Sequence, residues 1–412
     1  MGRSGPVLVA IALSAVCASA SRASYDFTVI ATSVSGPFSG LPQVPPSLDD
    51  DGKVAFLATA PQLSTTSVFV GSELGQELVD YVQISGALGQ PSLTPIQIGS
   101  IVAGAVAFTA SGSGGSGVFY GSGGSLTPLF SPAPSSFDGP AVNFSGDLVL
   151  VEGGKLVLAN ALGSSVLLQK NDVVAGGTIF DIFNSATSPD INDAGETAFW
   201  ADIDFPSGPC DEAILKRDSG GAATVIALGA NDQCDWESSG SAPLALSESG
   251  HVAYDAEIFD GVASDVQAAF VDQTKVWDAR DPGFGASPFV EAIAVNDAGT
   301  PALLIESAGG TGLYTGADPV ADKVLGTGDP LCGSTVTGID FHRFGQNDGG
   351  RLALHVSLAD ARELVVRAEP RNGLPGGTCI VPEPSAGPTS SVALLALAVA
   401  GRRAARRVRA CA

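Results

Sequence analysis

Basic residues are what this sequence most lacks. Lysine and arginine number 20 among 412 residues against 43 aspartates and glutamates, and charged residues of all kinds make up only 15%. Six of the basic residues sit at the two ends (Arg3, Arg402, Arg403, Arg406, Arg407 and Arg409), which leaves 14 in the body against about 43 acids, a net charge near −29. Such a surface repels phosphate, so it excludes nucleic acid and an anionic membrane face as partners. It leaves cations and basic partners open. Histidine occurs three times. His251, His342 and His355 are scattered, and the expectation is exposed strand residues rather than ligands or bases. There is no G-x-S-x-G elbow, no P-loop and no H-E-x-x-H. The Gly/Ser run 111–117 has no lysine and no following helix, so it reads as a hairpin turn. None of the six cysteines forms a C-x-x-C pair, which speaks against redox or zinc chemistry.

What is present suits short strands and tight turns. Glycine counts 52 and hydrophobic residues 45%, enough to bury a core. The first 20 residues have a positive start, an apolar run from Pro6 to Val16 and Ala18-Ser19-Ala20, the pattern of a cleaved secretory signal. Export makes an even number of body cysteines meaningful. Cys210, Cys234, Cys332 and Cys379 suggest two disulfides, with proximity favouring Cys210–Cys234 and Cys332–Cys379 among three pairings.

The body, residues 24–380, repeats. Asn192-Asp193-Ala194-Gly195-Glu196-Thr197-Ala198-Phe199 returns as Asn296-Asp297-Ala298-Gly299-Thr300-Pro301-Ala302-Leu303 and as Asn347-Asp348-Gly349-Gly350-Arg351-Leu352-Ala353-Leu354. Weaker copies surround Gly52, Gly146 and Gly250, and the most degenerate spans Ile101 to Phe108 around Gly104. The seven motif glycines are spaced by 52, 42, 49, 55, 49 and 51 residues, about one four-stranded propeller blade each. The motif chemistry is structural. Asn or Asp closes an Asx-turn onto the backbone two residues on, glycine supplies a positive φ, and Ala and Phe open a strand that packs between blades. The fold expected is all-β: a propeller of about seven four-stranded blades. Its last blade is completed by the N-terminal strand Tyr25-Asp26-Phe27-Thr28-Val29-Ile30, which removes open edges.

Residues 381–412 carry Val381-Pro382-Glu383-Pro384, a small-residue spacer, an apolar run from Val392 to Ala400 and an arginine cluster. The run is about half the ~20 apolar residues a comfortable span needs, which suits a transient membrane anchor. This ordered trio resembles the PEP-CTERM sorting signal. The resemblance implies processing by an exosortase and placement at the surface or in the extracellular matrix of a Gram-negative bacterium that makes exopolysaccharide. The tandem N-x-x-G-x-x-A-F pattern is similar to a class of bacterial exported repeat proteins. That likeness implies a propeller-like fold and surface placement, with no assigned chemistry.

Acids are the one lead to a site. Asp172, Asp232, Asp281 and Asp329 recur after the third strand of several blades, where propeller loops converge on one face. There they would bind calcium through oxygen ligands or meet glycan hydroxyls. The alternative is that they solvate turns. The run Asp49-Asp50-Asp51-Gly52 lacks the spacing of an EF-hand and belongs to the motif turn. The function expected is a non-catalytic exported propeller, binding or structural in the exopolysaccharide layer, with exopolysaccharide or surface proteins as partners and no cofactor beyond calcium. The competitor is an extracellular polysaccharide-active hydrolase or lyase. It would need a converging carboxylate pair beside an aromatic platform such as Trp200, Trp236 or Trp277.

Overall fold

The structure, a computed structural model, describes residues 25–380 apart from 35–37, 60–65, 73–78, 81–92, 113–114, 123–125, 132–138, 183–187, 207–211, 229–235, 238–243, 259–265 and 372–378. Among the described residues every regular element is a strand. The secretory-signal residues, the sorting motif Val381 to Pro384, Asp232, Cys210 and Cys234 lie outside them.

Seven antiparallel sheets follow one another along the chain, the seven blades of a β-propeller. Blade 1 comprises Ser47–Leu48, Val54–Thr59, Thr66–Gly71 and Val79–Asp80. Blade 2 comprises Leu93–Val102, Ala105–Gly112, Gly115–Gly121 and Thr127–Phe130. Blade 3 is Ala141–Val142, Leu148–Glu152, Lys155–Asn160 and Gly163–Gln169. In blade 4 the inner strand comes in two pieces, Gly177–Ile182 and Asp190–Ile191, both paired to Thr197–Asp204. Blade 5 repeats that break with Trp236–Glu237 and Ala245–Leu246 on Val252–Ile258. Blade 6 is Phe289–Val295, Pro301–Ser307, Gly310–Tyr314 and Lys323–Gly326.

Blade 7 closes the ring as the sequence suggests. Ser334–Asp340, Leu352–Leu358 and Glu363–Pro370 come from the C-terminal side, and Tyr25–Thr32 supplies the fourth strand, paired from Tyr25↔Pro370 to Thr32↔Leu364. Cys379–Ile380 adds a short parallel strand outside it. The Cys332–Cys379 disulfide, with a Cα–Cα distance of 5.2 Å, ties this last strand to the inner hairpin of the same blade.

Alternation along each strand explains why the blades stack. Side chains of successive residues leave opposite faces of a sheet. Val54, Phe56 and Ala58 pack towards blade 7, whereas Ala55 and Leu57 pack towards blade 2. The same division yields seven apolar clusters among the described residues, one at each junction between neighbouring blades. The Ala-aromatic pair that opens the second strand serves both faces: Ala198 joins the core shared with blade 5, and Phe199 the core shared with blade 3.

Candidate functional site

The repeated motif builds one tight turn, between the first and second strands of each blade. All seven motif glycines have φ between +71° and +87°. A side chain in that left-handed region costs roughly 1–2 kcal/mol. The side chain at the first motif position closes the turn further along than the sequence suggests. Asp49, Asn143, Asn192, Asn296 and Asn347 accept the N–H four residues on, at 2.7–3.0 Å, and Ser247 does the same through its hydroxyl at 3.0 Å. Asn296 also takes the bond two residues on, at 3.1 Å. The reason is local: the i to i+3 backbone bond folds the turn so that the fourth residue's N–H faces the side chain.

These turns are linked to one another around the ring. The acid at the second motif position accepts a backbone N–H from the preceding blade. Asp193 accepts from Phe144 at 2.5 Å, Glu248 from Asp193 at 2.7 Å and Asp297 from Ser249 at 2.6 Å. Asp348 accepts from Asp297 at 3.1 Å and Asp50 from Asp348 at 3.3 Å. Asn192 and Asn347 add side-chain donations to the Ser247 and Asp49 carbonyls of the next blade, both at 3.1 Å. Blade 2 holds the degenerate copy, and serines bridge its two junctions. Ser47 donates to the Gly99 carbonyl, and Ser100 donates to the Val142 carbonyl while accepting the Val142 N–H, both at 2.8 Å.

The linked turns surround a cavity of about 290 Å³ at the axis, walled by Asp50, Asp51, Asp193, Glu248, Asp348 and Gln346. Arg343 and Phe344 also line it. They belong to 341–345, which leaves the inner strand of blade 7 before Gln346 rejoins Leu352. Arg343 is buried and donates to the carbonyls of Ser188, Pro189, Leu244 and Gly139 at 2.7–3.1 Å. Those carbonyls enter the inner strands of blades 3, 4 and 5, so the side chain crosses the centre of the ring from blade 7. Buried Asp190 accepts the Ile191 and Leu246 N–H groups, both at 2.9 Å. Burial raises its carboxyl above the ordinary range and the field of Arg343 pulls it back. His342 is buried beside Arg343, and burial together with that guanidinium pushes its imidazole down to about 3, so the ring is neutral.

The cavity acids feel one another. Glu248 reaches solvent at the rim but is ringed by protein atoms, and this desolvation, with Asp193, Asp190 and Asp348 nearby, pushes its carboxyl up to about 7. Desolvation and the fields of Asp50 and Asp297 push Asp348 up to about 6. Raised carboxyls in a cleft are the usual sign of a functional position.

The acids singled out from sequence lie elsewhere. Asp172, Asp281 and Asp329 follow the outermost strands of blades 3, 5 and 6, at the end opposite the motif turns, and none lines the cavity. Asp172 and Asp281 cap their own turns, accepting the Gln169 and Asp278 N–H groups at 2.9 Å, and Asp329 pairs with Lys323 at 2.8 Å. They do not meet at the cavity because they lie at the other end of the blades, where the backbones of Asp172 and Asp329 pair with the inner strands of the next blades through Ile179 and Val336, both at 2.9 Å. Among the described residues no three acids, histidines or cysteines are grouped to hold a metal ion. The histidines also depart from expectation. His251 is half-exposed and bonded to Asp272 at 2.7 Å, but His355 is fully buried, between Asp340 at 2.7 Å and Glu363 at 3.4 Å. Its strand is the second of blade 7, covered on both faces. Trp200 and Trp277 are buried in inter-blade cores, away from the cavity.

Sequence reading missed the second motif position, although an acid stands there in five of the seven copies. It also missed Arg343, whose only signal is a lone base inside Phe341-His342-Arg343-Phe344 in an acidic chain.

Fold and cavity together define a seven-bladed β-propeller with an acidic cup at one end of its axis. No protein-family model matches the chain. No curated protein matches it. Solved structures do. A catalytically inactive virginiamycin B lyase from Staphylococcus aureus with quinupristin is 12% identical, with a TM-score of 0.38, over 84% of this chain and 99% of that one. A puromycin hydrolase is 13% identical, with a TM-score of 0.44, and the match covers 86% of this chain but only 58% of the hydrolase. A chain of a nidogen/laminin complex is 12% identical, with a TM-score of 0.34, over 66% and 88% of the two chains. At such identities the likeness extends to the fold alone.

Proposed function

We propose that this chain is an exported, non-catalytic propeller of the cell surface or extracellular matrix, binding within the exopolysaccharide layer through the motif end of its axis. One observation carries the non-catalytic reading. Four of the cup's acids, Asp50, Asp193, Glu248 and Asp348, each accept a backbone N–H from the neighbouring blade, and Trp200 and Trp277 are buried in cores, while the side chain of Trp236 lies outside the described residues. The secretory pattern of residues 1–20 and the sorting-type tail of residues 381–412 support the placement, with an exosortase as processing partner and the tail as a passing membrane anchor. Calcium held by the far-end aspartates is the weaker part of this reading, since Asp172 and Asp281 are engaged in their own turns and Asp329 with Lys323.

The test is retention of the full chain on the producing organism's own exopolysaccharide, with calcium and then with a chelator. Retention in both, with no shortening of the polymer, is the expected result. Retention that needs calcium would restore the far-end aspartates as ligands. Shortening of the polymer would replace this reading with a polysaccharide-active enzyme. One observation favours that second reading: the Glu248 carboxyl, raised to about 7, has the protonation a general acid needs.

A further inference from the structure

We infer that the motif end carries a binding site for a carboxylate, seated on the Arg351 guanidinium where blade 7 leans over Gly52 of blade 1. The inference rests on the binding role above and names its ligand class: an acidic glycan, held by the carboxylate of a uronate unit.

Four of the residues that follow a motif glycine reach over the motif glycine of the next blade. Glu196 Oε2 lies 2.7 Å, the His251 ring 3.5 Å, Lys53 Nζ 3.5 Å and Arg351 Nη1 2.9 Å from where a Cβ on Gly250, Gly299, Gly104 and Gly52 would stand. Acids and histidine at this position find partners within the chain. Asp147 accepts from Asn160 at 2.7 Å, Glu196 accepts from Asn192 at 2.9 Å and pairs with Lys216 at 3.7 Å, and His251 is bonded to Asp272 at 2.7 Å. The two cations differ. Among the described residues, the side chains of Arg351 and Lys53 have neither a hydrogen bond nor an ion pair.

Blade 4 shows what Arg351 lacks. Glu196 stands there in the place of Arg351, directly after the motif glycine. Lys216 stands in the place of Arg367, since Lys216 pairs with Ala198 and Arg367 with the equivalent Ala353. Lys216 donates to the Gly250 carbonyl at 2.9 Å, and Arg367 donates to the corresponding Gly52 carbonyl. Over Gly250 the cation therefore meets a carboxylate. Over Gly52 it meets a second cation: Arg367 Nη1 lies 3.2 Å from the same Cβ position that Arg351 Nη1 approaches to 2.9 Å. Like charges that close repel, and an anion beside them removes the penalty. Glu369 supplies one for Arg367, which it meets at Nε and Nη2 at 2.8 and 2.7 Å. Arg351 is left over, half-buried and without its anion.

The excess is one charge, which suits a monoanion. A guanidinium presents its donors in a flat fork that matches the two oxygens of a flat carboxylate. The acids nearby are turned to other tasks. Asp49 takes the Lys53 N–H at 2.7 Å, and Asp50 and Asp51 line the cup. The rest of the acidic chain acts at longer range, and salt at 0.15 M screens exposed charges beyond about 8 Å. A contact carboxylate is therefore governed by Arg351, with Lys53 one blade further on as the next free cation.

The experiment is calorimetric titration of the full chain with trigalacturonate and with its methyl ester at pH 7 in 0.15 M salt. The expected result is saturable binding of the acid, at least ten-fold weaker for the ester. Arg351→Gln should weaken it ten-fold or more, and Lys216→Met, which removes a cation already paired, should leave it unchanged; thermal melts check folding. Arg351→Glu recreates the blade 4 pair with Arg367, so it should abolish binding and melt no lower than the parent chain. Should Arg351→Gln fail to fold, or Arg351→Glu melt well below the parent, Arg351 already has its anion inside the chain and the inference falls. No saturable binding, equal binding of the ester, or binding that ignores Arg351→Gln overturns it as well. Exopolysaccharide retention without uronate binding would overturn this site and leave the broader binding role standing. Uronate binding by a chain that exopolysaccharide does not retain would keep the site and remove that role.

Discussion

The two ends of the propeller carry acids at the same period and use them differently. At the motif end, Asp50, Asp193, Glu248, Asp297 and Asp348 each reach into the preceding blade, so the turns form a linked ring around the axis. At the far end, Asp172 and Asp281 accept N–H groups of their own loops, and Asp329 pairs with a lysine of its own blade. The difference is which group crosses between blades. At the motif end it is the acid side chain, whereas at the far end the backbones of Asp172 and Asp329 accept N–H groups from the inner strands of the next blades, Ile179 and Val336, both at 2.9 Å, and their side chains stay with their own blades. Recurrence at a fixed period therefore does not by itself make a site; which strand the residue follows decides what it meets.

Breaking the centre should matter most. Arg343→Met removes the donors of four buried carbonyls and leaves Asp190 buried without its counter-field, at a cost of about 3–5 kcal/mol by urea denaturation. Asn347→Ala removes both the acceptor of the Arg351 N–H and the donor to the Asp49 carbonyl, for about 2 kcal/mol. Gly299→Ala isolates the backbone contribution. The His251 ring lies 3.5 Å from the added carbon, which leaves room, so φ strain alone costs about 1–2 kcal/mol.

A pH series sharpens the contrast without removing contacts. Glu248 and Asp348 hold protons in the folded chain at pH values where the unfolded chain has released them. Stability should therefore fall as pH rises from about 4 through 7, and Glu248→Gln should flatten the upper part of that fall. Smallest of all are Asp172→Asn and Asp281→Asn at the far end. Each keeps an acceptor oxygen for its turn and should change stability by no more than about 0.5 kcal/mol.

The fold was legible because its demands are local. A positive φ at the motif glycine is needed in every blade, and Ala followed by Phe, Tyr or Leu begins the second strand in six of the seven copies, so both recur in sequence and the period gives the blade. The closing role of Tyr25–Thr32 could be read because only a strand missing from the seventh repeat had a counterpart before the first. The Cys332–Cys379 pairing followed from proximity. The cup was not legible because its relations are long-range. Arg343 meets carbonyls 99 to 204 residues away, and nothing in its neighbours announces them. The second motif position showed an acid repeatedly, yet its partner lies one blade back, about 50 residues distant. His355 looked like a variable strand residue. Only the stacking of blade 7 reveals that its ring is enclosed between Asp340 and Glu363.

The linked ring of motif turns is tested most directly by an internal control. Asp218 closes the same turn as the motif, accepting the Ala222 N–H at 2.8 Å, but between the outer strands of blade 4, where its turn is exposed. Serine closes such a turn in blade 5 through Ser247, so serine at either position preserves the local bond and removes any reach to the next blade. Urea denaturation of Asn347→Ser and Asp218→Ser compares the two. The prediction is that Asn347→Ser costs about 1 kcal/mol or more beyond Asp218→Ser, the worth of the lost bond to blade 1. Equal losses would mean that the motif turns stand alone in their blades and that their ring does not hold the propeller together.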